Sequence, residues 1–332
     1  MEAYAITKGV LFLVVAVIGI PGNLAIIGSF SWIALSTFKL LPVEIIIFHL
    51  ALANALLVFT RGLPAALFIL FGTRLNNETG CSIVIYVARI SRGMAIGLTC
   101  VLSCVQLVTL IPASSKWVYL KLKVPKYIFA ATLSLWPLYM IMEISGLIFS
   151  GSEMTSSNPE LIFNFGYCLT IFPTVTIFNI NGFFYFSRDL MIVSLMSLSS
   201  VCILLILYRH RKQVNDVRTS NQNSAVEIRA AKTVVSLVTM YVLFFGVENT
   251  IWLYQISVSK FIHPVVSDVR HFFSDLLIIS LSHTGNIVSS CARVKLELVC
   301  IIRGEIDKMT GGRSFTKDLL SVLLESGPRS SA

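Results

Sequence analysis

The sequence predicts an all-α integral membrane protein, a bundle of seven transmembrane helices with the N-terminus extracellular and the C-terminus cytoplasmic. Three observations carry that expectation. Hydrophobic residues make up 55% of the 332-residue chain and charged ones only 13%, with a mean hydropathy of +0.81, well beyond the soluble globular average. Seven apolar runs are long enough for the roughly 20 residues that a spanning helix needs. Lysine and arginine collect in alternate connecting segments, as they do when basic loops stay in the cytoplasm.

The seven runs are 9–35, 42–71, 82–111, 126–149, 188–209, 230–256 and 265–290. The first starts after eight residues, shows no small-residue cleavage site, and reads as a retained signal anchor. An eighth apolar stretch, Ile171–Phe186, carries Pro173, Asn179, Asn181 and Gly182 and is too short to span. It is expected to be a long outer loop packed over the bundle. With the N-terminus outside, eighteen of the 26 Lys and Arg fall on the inner side and five on the outer, namely Lys8, Arg74, Arg188, Lys260 and Arg270. The remaining three, Arg61, Arg89 and Arg92, lie inside spans. The net charge of +9 is thus a topology signal and needs no nucleic-acid partner. Residues 1–292 form the seven-span domain, and 293–332 an amphipathic surface segment followed by a disordered tail. Cys300 in that segment is a palmitoylation candidate.

Most of the seven cysteines sit in spans or on the inner side, where thiols stay reduced. Cys81, at the outer end of the third span, and Cys168, in the long outer loop, face the oxidising side and can pair; the alternative is two free thiols. Asn77-Glu78-Thr79 is an N-glycosylation sequon in the first outer loop. No metal-ligand spacing, nucleophile elbow or paired catalytic carboxylates occur. The expectation is therefore no cofactor and no enzyme.

Gly22-Asn23 in the first span, and the placement of Cys81 and Cys168, resemble rhodopsin-like G protein-coupled receptors. Two superfamily hallmarks are missing: the triplet ending the third span is Cys104-Val105-Gln106, and the seventh span lacks Asn-Pro-x-x-Tyr. The departures resemble the vomeronasal type-1 receptor family, which includes the fish olfactory receptors related to class A. The matching segments are HLALAN (His49–Asn54), RGLP (Arg61–Pro64), ARISRG with TCVLSCVQ, IPASSKW (Ile111–Trp117), RDLM (Arg188–Met191) and LYRHRKQV (Leu207–Val214). The resemblance implies a Cys81–Cys168 bridge and a chemosensory receptor for an odorant or pheromone, in the plasma membrane of chemosensory neurons. It also implies a heterotrimeric G protein partner meeting Gln106, Pro112, Tyr208, Arg209, Arg211, Lys212, Arg229 and Lys232. Asn54 stands where the superfamily carries a sodium-binding aspartate, which implies weak sodium sensitivity. Alternatives are a bitter-taste-type receptor and, from another class, an anion transporter or channel.

An ionisable residue in a span costs about 2.5–3.5 kcal/mol on insertion scales and normally faces a partner inside the bundle. Arg89 and Arg92 share a face at i, i+3, in the outer third of the membrane at the depth of Arg61. Candidate counter-charges are Glu143, Glu248 and Asp275, and Trp252 is the favoured aromatic wall. These seven residues are the expected ligand-binding set. Three readings stay open: a closed ion-pair network, an arginine free to hold a ligand carboxylate or sulfate, and snorkelling to lipid headgroups.

Overall fold

The computed structural model describes residues 2–37, 40–73, 77–111, 118–151, 161–164 and 167–216, together with scattered helical positions between 235 and 250. The chain divides into units Met1–Asn286 and Ile287–Ala332, and all described residues belong to the first. Pro112, Arg229, Lys232, Glu248, Trp252, Asp275, Cys300, the side chains of Arg211 and Lys212, and the seventh span lie outside the described residues.

Helix α1, Glu2–Thr37, contains Pro21. Proline has no N–H to return to the carbonyl four residues back, that of Val17. Asn23, buried two residues on, donates from Nδ2 to Gly19 O at 2.7 Å.

The second span is a single helical rod with a widened turn. It runs as α2, Pro42–Leu57, a π-helical turn Val58–Gly62, and α3, Leu63–Phe71. Pro64 explains the widening, because its ring excludes an ordinary bond to the carbonyl four residues back. Just before it the ladder steps over one residue, and Leu63 N bonds to Val58 O at i to i−5. Arg61 sits in this turn. Gly72 ends α3 with a φ of 69°, a left-handed cap that lets its N–H reach Phe68 O at 2.9 Å.

Helix α4, Glu78–Leu110, is the central rod, packed against α2, α5, α6 and α7. Asn77 caps it, Oδ1 accepting from Thr79 N at 3.1 Å. Helix α5, Val118–Met142, ends at Glu143, whose ψ of 10° breaks the rod before the short α6, Ile144–Ile148. A three-stranded antiparallel sheet follows: β1 (Ser150–Gly151), β2 (Leu161–Asn164) and β3 (Leu169–Phe172), in the order β1-β3-β2. Ser150 faces Thr170 and Leu161 faces Phe172. The Cys81–Cys168 disulfide, with Cα atoms 5.7 Å apart, fastens this sheet to the start of α4, as expected. The Ser82 hydroxyl donates to Ser150 O alongside it.

The expected loop over Ile171–Phe186 is overturned. Only the start of that stretch is strand; from Val175 it is the opening of α7, Val175–Asp216. Pro173 precedes the helix and does not interrupt it, and the Thr174 hydroxyl accepts from Ile177 N at 3.3 Å. Asn179, Asn181 and Gly182 are tolerated within it. The fifth helix therefore begins thirteen residues earlier than Arg188, and Arg188 lies inside it, not in an outer segment.

Among the described residues, four helices are long and apolar enough to cross a membrane: Gly9–Ser36, Pro42–Phe71, Glu78–Leu110 and Val175–Arg209. They correspond to the first, second, third and fifth predicted spans. The fourth predicted span corresponds to α5 and α6. The apolar character of α5 is diluted by Pro125, Lys126, Tyr127, Trp136, Pro137 and Tyr139.

The core gathers on α4. Ile46, Leu50 and Ala53 of α2, Ile90, Met94 and Leu98 of α4, Tyr139 of α5 and Met196 of α7 form one buried cluster. Between α4 and α5 the fit depends on two glycines one turn apart. A Cβ at Gly93 would stand 2.5 Å from the Tyr139 ring, and one at Gly97 2.6 Å from its hydroxyl. Small residues at i and i+4 let membrane helices approach closely; here the space is filled by a phenol. Gly93→Ala is expected to destabilise the protein by about 1–3 kcal/mol through overpacking, read as a lower Tm in detergent, with Tyr139→Leu restoring part of the loss in the double variant.

Candidate functional site

Helices α4 and α7 and the junction between α5 and α6 bring four charges together near the disulfide end of the bundle. Glu143 is the hub. Its Oε2 accepts from Arg89 Nε at 3.2 Å and its Oε1 from Arg188 Nη1. Arg188 also pairs with Asp189, Nη2 lying 2.8 Å and Nε 2.9 Å from Oδ1. Arg89, Glu143, Arg188 and Asp189 thus form a chain of alternating charge, in which Asp189 makes a further interaction of its own; pairing of this kind is how charge survives in low dielectric. Glu143 reaches its place because it stands where the α5 rod breaks.

Tyr185 lies between the arginines. The Arg89 and Arg188 guanidinium carbons sit 4.6 and 4.9 Å from its ring centroid, within cation–π range. Its hydroxyl is 2.6 Å from Ser145 Oγ and donates to Met142 O at 3.4 Å. Gly146 leaves room for the arginine to cross: a Cβ there would meet Arg89 Cδ at 2.7 Å. Tyr86, one turn before Arg89, donates from its hydroxyl to Met140 O at 2.7 Å.

The two arginines differ in exposure. The Arg188 side chain is 8% exposed and committed to two carboxylates, whereas Arg89 is 25% exposed. Among the described residues Arg89 donates only from Nε, which leaves Nη1 and Nη2 without a hydrogen-bond acceptor among them. Arg61 and Arg92 are half-buried, and each makes an interaction of its own. Asn54 is buried, with no hydrogen-bond partner for Oδ1 among the described residues, and Gln106 is buried in the same condition at Oε1. Tyr208 and Arg209 are exposed near the far end of α7. His49 accepts from Trp136 Nε1 at 3.2 Å through Nδ1, a hydrogen-bonding core group.

The sequence reading paired Glu143 with the arginines but missed Arg188, Asp189, Tyr185 and Gly146. The signal was present in Arg188-Asp189, adjacent opposite charges inside an apolar tract. Treating 171–186 as a loop moved Arg188 to a span boundary, where a charge needs no partner.

The chain matches the vomeronasal organ pheromone receptor family over residues 6–281. It belongs to that family. Olfactory receptor class A-like protein 1 of Danio rerio is 39% identical over 302 residues, covering 90% of this chain and 94% of that protein. Vomeronasal type-1 receptor 1 of Homo sapiens is 30% identical over 252 residues, 74% of this chain and 71% of the relative. In fold, the crystal structure of squid rhodopsin aligns with a TM-score of 0.66 at 15% identity, covering 86% of this chain and 77% of that one. This vomeronasal-family chain therefore has the rhodopsin-like receptor fold and is a multi-pass membrane protein of a chemosensory receptor family, not an enzyme.

The two arginines should separate in mutagenesis. Arg188→Gln leaves Glu143 and Asp189 short of a buried partner and is expected to cost about 3–5 kcal/mol, seen as loss of surface expression. Arg89→Gln, at the exposed edge, is expected to leave expression near wild type in the same flow-cytometry assay.

Proposed function

We propose that this vomeronasal-family chain is a seven-span plasma-membrane receptor of chemosensory neurons, N-terminus outside, that senses a small acidic odorant or pheromone. The observation that carries the ligand class is Arg89. It is held in place by Glu143 and Tyr185, yet presents the free edge of its guanidinium, a fork suited to a carboxylate or sulfate. Arg61, Arg92, Glu248, Asp275 and Trp252 complete the wall of the cavity in this reading. The closed-network alternative accounts for Glu143, Arg188 and Nε of Arg89, and leaves the Nη groups of Arg89 for a ligand.

Binding favours the active arrangement only so far as the ligand prefers it to the resting one. On the cytoplasmic side Gln106, Pro112, Tyr208, Arg209, Arg211, Lys212, Arg229 and Lys232 form the surface offered to a heterotrimeric G protein. Gln106, buried in this arrangement, becomes reachable when the helix ends part. Cys300 carries a palmitoyl anchor in the same scheme. Asn77, exposed at the cap of α4, carries the glycan.

Arg89→Gln is expected to raise the half-effective concentration of an acidic agonist about tenfold or more, the scale of one charged hydrogen bond. Calcium imaging of cells co-expressing a promiscuous G protein reads this, with surface expression measured in parallel. An unchanged response to the acid in well-expressed Arg89→Gln refutes the ligand assignment. Asn77→Gln is expected to abolish the glycosidase-sensitive mobility shift; a shift that persists places the sugar elsewhere.

A further inference from the structure

The N-terminal turns of α5 carry a basic and aromatic collar that the ligand site does not use. Lys121, Lys123 and Lys126 are all exposed, as are Tyr119, Leu122 and Tyr127 at 64%, 75% and 54%. Lys123 Nζ lies 4.3 Å from the centre of the Tyr119 ring, and Lys126 Nζ 5.6 Å from that of Tyr127. Lys121 is spoken for, donating to Thr109 O at 2.9 Å near the end of α4. That bond places the collar at the end of the bundle opposite the disulfide.

Lys123 and Lys126 stand at i, i+3, where like charges repel. No acidic residue occurs in α5, and among the described residues neither lysine has a carboxylate within ion-pair distance. Their heads rest on tyrosine rings, the amphipathic side chains found at headgroup level. Further along the same helix, Phe129 and Leu133 are 57% and 50% exposed, so the collar is continuous with an apolar face of the kind that meets acyl chains. A pair of uncompensated ammonium groups directly above such a face has the chemistry for a multiply charged phosphate ester anchored in the bilayer.

We infer that Lys123 and Lys126, framed by Tyr119 and Tyr127, form a docking surface for the headgroup of an anionic phospholipid, with phosphoinositides preferred over singly charged lipids. That the leaflet concerned is the cytoplasmic one rests on the topology proposed above.

The test uses full-length receptor in phosphatidylcholine nanodiscs, with or without phosphatidylserine or phosphatidylinositol bisphosphate, and native mass spectrometry to count retained lipid. Wild type is expected to retain the bisphosphate lipid ahead of phosphatidylserine. Lys123→Gln with Lys126→Gln should weaken retention about thirtyfold, from about 1 kcal/mol per lysine near the surface. Lys123→Arg with Lys126→Arg should preserve it. If the double Gln variant folds poorly, each single Gln variant carries the same comparison at about fivefold. Equal retention in the Gln variants and wild type overturns the proposal, as does displacement of the lipid by inorganic phosphate. Labelling of Leu122→Cys by an impermeant maleimide outside intact cells would refute the topology and leave the nanodisc result standing.

Discussion

A carboxylate inside a membrane protein has to be enclosed by partners, and Glu143 is enclosed by two guanidiniums that belong to two other helices. Much of the architecture around it follows. The carboxylate needs a backbone position from which it can face both α4 and α7, which the break between α5 and α6 provides. Arg188 needs a second anion, because one carboxylate shared between two cations leaves charge over, and Asp189 supplies it from the next residue. Arg89 needs a path past α6, and Gly146 opens one. Apolar contact alone would not select this arrangement, since lipid tails offer helices the same apolar surroundings.

The disulfide and the sheet act at the same end. Cys81 opens α4, Arg89 lies about two turns further along it, and Cys168 leads into β3, which is followed closely by α7. The covalent link thus joins the beginnings of the two helices that supply Arg89 and Arg188. Lengthening either helix at this end would shift those arginines relative to Glu143. The early start of α7 is therefore part of the site: with the helix running from Val175, Tyr185 falls one turn before Arg188 on the same face and can lie between the guanidiniums.

What was legible in the sequence was whatever depends on one segment at a time. Apolar length marked out runs that overlap α1, the α2–α3 rod and α4, although α1 begins seven residues ahead of the run at 9–35, because the thickness of the bilayer sets a length that composition displays directly. Cys81 and Cys168 could be matched by compartment together with the family resemblance. Pro64 announces a disturbed turn, though only the structure shows that the disturbance is a π-helical widening. The failure lay at 171–186, where Pro173, two asparagines and a glycine weigh towards a loop in any local reading. In water they would; in a long membrane helix proline at the entrance costs little and asparagine is tolerated. Tyr139 over Gly93 and Gly97 was illegible for another reason. The glycines are visible in the sequence, but the residue that fills them comes from another helix, and no local pattern names it.

Coupling between the two ends of such a bundle requires an element that both ends bias. A ligand that touched a single helix would bind every arrangement of the others equally and shift nothing. Arg89 is not in that position. Through Glu143 its guanidinium shares a carboxylate with Arg188, and through Tyr185 it shares a ring with the same residue. Any anion that competes with Glu143 for Arg89 therefore changes the balance of charge felt by α7, a helix that continues past Tyr208 and Arg209 to Asp216. The path from the charged cluster to the far end is one unbroken rod, so in the proposed receptor a movement imposed at Arg188 would have no loop to cross.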